Sequence, residues 1–133
     1  MKRLALLFGC LFLLASPAMA ISEFGKQWKN EYLSGDDLPE DFVTAGRKAG
    51  CYVCHVKGED KKKVRNEYGQ AVKQHLKAED FPKDYVKANP EEAKKKILEG
   101  FKKAGELKSK DGKTFADKIK NHELPATDAG LDD

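Results

Sequence analysis

The sequence predicts a small all-α domain, and three observations carry that prediction. Beyond position 20, apolar side chains recur at three- and four-residue spacings with almost no strand-like alternation. Capping residues and breakers fall where those periodic stretches begin and end. The chain has 133 residues, room for one small domain, which excludes a large multidomain enzyme.

Taken in order, Phe24, Trp28 and Tyr32 stand at i, i+4 and i+8 behind a cap at Ser22, predicting a first helix that ends at Ser34-Gly35. Asp36-Asp37-Leu38-Pro39 reads as the entry to a second, running from Glu40 towards Cys51, with Gly46 and Gly50 weakening it. A lysine-rich connection from Lys57 to Arg65 leads to Asn66-Glu67-Tyr68-Gly69, after which Tyr68, Ala71, Val72, His75 and Leu76 share one helical face. The next helix has Asn89 as cap, Pro90 in its first position, Glu91 and Glu92 in its first turn, Ala93, Ile97, Leu98 and Phe101 inward, and Gly105 near its end. Thr114 caps a short last helix carrying Phe115, Ile119 and His122, stopped by Pro125. Residues 126–133 are small and acidic, which predicts a disordered tail behind a domain spanning 21–125.

The first 20 residues have a basic start (Lys2, Arg3), an apolar run from Leu4 to Ala15 and a small-residue exit at Ala18-Met19-Ala20, the layout of a cleaved secretory signal. The run is shorter than the roughly 20 residues a spanning helix needs, so no membrane span is expected after cleavage. Leu7-Phe8-Gly9-Cys10 faintly resembles a lipoprotein box, but Phe8 is bulky and the apolar run continues past Cys10. Export, with the periplasm as destination, is the expectation. Taking 20 residues from 133 leaves 113, and the 25 basic side chains become 23 against 22 acidic, a net charge of +1. Nucleic-acid binding loses its electrostatic argument at that charge. Cleavage also removes Cys10 and both methionines, Met1 and Met19. About a third of what remains is apolar, thin for a globular core.

Chemistry concentrates at Cys51-Tyr52-Val53-Cys54-His55, a Cys-x-x-Cys-His sequence of the kind that attaches c-type haem. Cysteines at i and i+3 of a helical turn lie on one side and can each form a thioether to a haem vinyl group, while His55 behind them can bring a ring nitrogen to iron. The mature chain holds the two cysteines this needs and no other. Three other readings use the same residues. A small disulfide suits an oxidising compartment. A thioredoxin-like pair wants a βαβ setting, which the pattern lacks. A structural zinc site wants four ligands, and the only other histidines, His75 and His122, lie far downstream.

On these residues the chain resembles the small exported mono-haem c-type cytochromes. The resemblance is specific over Cys51 to His55 and architectural elsewhere. It implies a cytochrome c-like helical domain wrapped around one covalent haem c per chain, with Cys51 and Cys54 as attachment points and His55 as the proximal iron ligand. A buried macrocycle would also supply core that the side chains do not. The chain departs from the family pattern in two places. Arg47 stands where many members have an aromatic, four residues before the first cysteine, and there is no mature methionine to serve as sixth ligand. The remaining imidazoles, His75 or His122, are the protein candidates for the distal position. His75 on its apolar stripe also reads as a core histidine, and His122 as a helix C-terminal residue complementing the dipole.

The expected activity is therefore electron transfer by Fe(III)/Fe(II) cycling rather than enzymatic turnover. No Ser-His-Asp arrangement, paired acid motif or phosphate loop supports conventional catalysis. An open sixth position would instead give small-ligand binding or sensing, with weak peroxidase-like activity. A cofactor-free, disulfide-stabilised binding module is the reading from a different class. The basic loop from Lys57 to Arg65 suits a redox partner with an acidic docking surface, though mixed charges there also read as a solvated loop. Tyr68, Tyr85, Phe101 and Phe115 read equally as core or as pocket lining.

Overall fold

A computed structural model describes residues 18–132, with side chains from Ser22 onward, so most of the expected leader lies outside the described residues. Six helices form along this span: α1 (Ala18–Tyr32), α2 (Glu40–Ala49), α3 (Glu67–His75), α4 (Lys83–Ala88), α5 (Pro90–Gly105) and α6 (Phe115–Lys120), with 3-10 turns at Gly50–Val53 and Ala78–Asp80. The described residues contain no strand, only an isolated bridge between Lys108 and Thr114. The all-α expectation holds for this region. None of these helices is long and apolar enough to cross a membrane.

The longest helix, α5, is the hub against which α1, α3, α4 and α6 all pack. Its inward stripe is Ala93, Ile97, Phe101 and Ala104, all buried; Ala93, Ile97 and Phe101 follow the sequence reading, Leu98 is only partly buried, and Ala104 extends the face by a turn. Trp28 and Leu33 reach this core from the α1 side, Tyr68, Val72 and Leu76 from the α3 side, and Phe115 and Ile119 from α6. Trp28 Nε1 donates to the Tyr68 hydroxyl at 3.1 Å, so a polar bond ties α1 to α3 inside the apolar cluster. Tyr68, Phe101 and Phe115 are thus core residues, with the Tyr68 and Phe115 rings 5.2 Å apart. Half-buried Tyr85 instead points its hydroxyl at Lys96 Nζ, 2.9 Å away.

The segment 126–132, expected to lack order, is docked on the body. Glu67 is the anchor. Its Oε1 accepts from the Thr127 amide and hydroxyl, both at 2.7 Å, and from the Ser109 hydroxyl at 2.7 Å, while its Oε2 accepts from the Lys110 amide at 2.7 Å. Asp128 Oδ1 accepts from the Glu67 amide at 3.0 Å, and its other oxygen pairs with Lys110 Nζ at 2.9 Å. Further along, the Lys57 amide donates to Ala129 O at 2.9 Å. Low apolar content predicted disorder, but polar partners far upstream in sequence supply the binding instead. Burial raises the Glu67 carboxyl, and the bonds from Thr127, Lys110 and Ser109 outweigh it, holding the group down at about 2.

Candidate functional site

The pentapeptide Cys51–His55 lies at the end of α2. Gly50, at φ 54°, closes that helix in a backbone region only glycine adopts freely, and the chain tightens into the 3-10 turn. The amides of Cys54 and His55 both donate to Cys51 O, at 3.2 and 3.1 Å. Five consecutive residues are thereby wound into a single compact turn. Cys51 is exposed, Cys54 is half-buried against the core, and the two are not bonded to each other.

His55 is buried, and its Nδ1 lies 3.0 Å from Val64 O. A carbonyl oxygen only accepts, so Nδ1 carries the hydrogen and the Nε2 lone pair is the one left to bind a metal. Such a carbonyl partner fixes both tautomer and ring orientation, as it does for metal-bound imidazoles generally. Burial pushes the Cys54 thiol up to about 12, with Arg65 opposing and Cys51 adding to the rise. A thioredoxin-like pair sits in a βαβ setting, and the described residues contain no strand. Two cysteines three apart and one tautomer-fixed imidazole are the donor set that a covalently attached haem would need, with Cys51 and Cys54 as candidate tethers and His55 Nε2 as candidate iron donor.

Residues 64–69 form the bed on which this turn rests. Asn66 is wholly buried, and its Nδ2 lies 2.9, 3.0 and 3.3 Å from the carbonyl oxygens of Tyr52, Val53 and His55. Its own backbone amide donates to Cys54 O at 3.1 Å, while its Oδ1 caps α3 by accepting from the Gly69 amide at 2.8 Å. Gly69 is forced by the same packing: a Cβ there would sit 1.9 Å from Cys54 O. In the sequence Asn66 only precedes a helical face; nothing local announces that its side chain both caps α3 and faces the motif.

The structure places the two distal candidates differently from each other. Tyr68, Val72 and Leu76 are buried as the stripe predicts, but His75 is exposed, contrary to a core reading. It is the last residue of α3, and the chain turns extended at Leu76, which inserts where α5 has Gly100 instead of a side chain. His75 therefore sits at the rim of a cleft of about 530 Å³ shared with Phe81, Tyr85, Lys96 and Gly100, none of which belongs to the motif. His122, just past α6, is also exposed and has a φ of 60°. Its ring centroid is 5.6 Å from that of Phe42 in α2, the helix that leads into the pentapeptide.

On the other side of the motif the basic loop is exposed from Lys57 to Lys63. Lys61 Nζ stands 5.1 Å from the centroid of the Tyr52 ring, which puts an ammonium against the motif itself. Among the described residues no group of three or more His, Cys, Asp or Glu side chains is arranged to hold a metal ion. No protein-family model, no curated protein and no solved structure matches the chain.

Proposed function

We propose that this chain is an exported mono-haem c-type cytochrome domain that carries single electrons. The observation that carries the reading is the tautomer-fixed His55, buried with Nδ1 on Val64 O, directly behind two unbonded cysteines at i and i+3. Bound haem supplies one-electron exchange between Fe(III) and Fe(II). The rest belongs to the chain. Cys51 and Cys54 tether the group, His55 donates Nε2 to the metal, and the Val64 carbonyl fixes the ring's orientation by accepting from Nδ1. Lys61 and its exposed neighbours offer positive charge beside the motif, which suits an acidic redox partner.

Expression of the full chain with a c-type maturation system tests this. Haem is expected to stay with the polypeptide after denaturation, and the reduced spectrum to be low-spin; colourless protein with Cys51 bonded to Cys54 would refute it. A second reading, small-ligand binding at an open sixth position, draws on the exposure of both His75 and His122. A high-spin reduced spectrum that shifts under carbon monoxide would select it. His122→Ala and His75→Ala identify a distal ligand by which one converts a low-spin spectrum to high-spin; His122, packed on the helix that feeds the motif, is the expected one.

A further inference from the structure

We infer that Asn66 is a positioning residue for the attachment turn, holding residues 52–55 in one backbone conformation so that both thiols and the His55 ring are set before the haem is joined. This rests on the haem reading above. Four consecutive carbonyl oxygens, those of Tyr52, Val53, Cys54 and His55, all accept from this one residue: three from Nδ2 and one from the backbone amide. Nδ2 has two hydrogens, so they are shared among three acceptors.

Helix capping does not account for this arrangement. Capping uses only Oδ1, and aspartate or serine would serve it as well. The amide nitrogen is surplus to the cap, wholly buried, and directed entirely at the motif. Only a side chain offering an acceptor on one arm and a donor on the other meets both demands at this length.

The demand on the turn comes from the chemistry. Each Sγ–H adds across a vinyl double bond, sulfur to one carbon and hydrogen to the other, so no oxidant or reductant is consumed. Two such additions and one ring donation must come from five residues in fixed register. A turn that frays makes one bond and misses the second, because orientation is what converts the second addition into a favourable intramolecular step.

Asn66→Asp is the informative variant, since it keeps the cap and turns a carboxylate towards three carbonyl oxygens; Asn66→Ser keeps a cap hydroxyl and drops the donor. Exported protein, matured with haem and with the leader and its Cys10 cleaved off, is denatured, and its remaining free thiols are titrated. Wild type is expected to show none, and both variants a free thiol on a substantial fraction of chains that nonetheless retain haem. Ile97→Val, which destabilises the buried stripe of α5 and leaves Asn66 and its bonds in place, serves as the control and is expected to show none. In parallel, native haem-free protein is alkylated with iodoacetamide, where the variants should expose Cys54 about tenfold faster relative to Cys51 than the control does. Equal thiol counts and equal alkylation ratios in variants and control would overturn the inference. Absence of haem from the wild type would overturn the proposed function instead, and the alkylation ratio would still decide the role of Asn66.

Discussion

Replacing Gly69 by alanine isolates the contact between α3 and the Cys51–His55 turn. In a helix the change ordinarily stabilises, by about 1 kcal/mol, through lower backbone entropy in the unfolded chain. Here the new Cβ would lie 1.9 Å from Cys54 O and 2.9 Å from Cys54 C, both backbone atoms. Ordinary contact needs more than 3 Å, so α3 or the turn must give way by over an ångström. The turn is held by Asn66 and Val64, and α3 is held by the bond from Trp28 to Tyr68, so neither side is free to move. Overpacking of this kind costs about 1–3 kcal/mol, and the absence of any flexible side chain to yield places it at the upper end. Net destabilisation of about 2 kcal/mol is expected, lowering Tm by about 8–12 °C for a domain of this size. Gly25 in α1, with nothing within 4 Å of its would-be Cβ, gives the matched control, and Gly25→Ala should stabilise by a few tenths to about 1 kcal/mol. Thermal and urea unfolding followed at 222 nm read both. If Gly69→Ala is as stable as wild type, α3 does not rest on the Cys54 carbonyl and the bed described for the turn is wrong.

Two further measurements address the frame around the site. The Glu67 carboxyl is held at about 2 in the folded chain against 4.5 as its ordinary value, so its contribution is present above about pH 4.5 and is lost as pH falls towards 2. The full shift corresponds to roughly 3 kcal/mol, which partial exposure to solvent reduces to about 1–2; Glu67→Gln should flatten the acid limb of the stability profile by that amount, and an unchanged limb would remove Glu67 as the anchor of the tail. Trp28→Phe and Tyr68→Phe each leave a buried polar group without its partner and should cost about 1–3 kcal/mol, while the double variant should recover about 0.5–1.5 kcal/mol of the summed loss. Strict additivity in that cycle would show that the bond does not couple α1 to α3.

Local signals announced some of this architecture well and other parts not at all. Pro90 and Gly105 bound α5 as their chemistry demands, Thr114 accepts from the third residue of the helix it caps, and Ala93, Ile97 and Phe101 are buried as their spacing foretold, Leu98 only partly. Asn89 starts α5 without capping it, since its side chain turns back to Tyr85 O and leaves the first turn to Pro90 and two glutamates. The short helix α4 and the turn at Ala78–Asp80 escape detection, because pieces of six and three residues carry too little periodicity to stand out. Docking of residues 126–132 was hidden for a different reason. Its main determinants, Glu67 and Lys57, lie 60 or more positions away, and only the Lys110 pair, 18 positions from Asp128, is nearer. At the candidate site the pentapeptide is legible by itself. The bed beneath it is not, since nothing near Asn66 in the sequence announces the contacts its side chain makes.

One consequence of that bed concerns when it can assemble. Its bonds to the pentapeptide join residues only 9 to 14 positions apart, whereas the bonds that tie α1 and residues 127–128 to α3 join partners 40 to 61 positions away. Closing loops of about ten residues takes on the order of 10–100 ns and carries little entropic penalty. The stretch from Cys51 to Gly69 is therefore a near-autonomous hairpin of contacts, able to take shape while the surrounding helices are still unpaired.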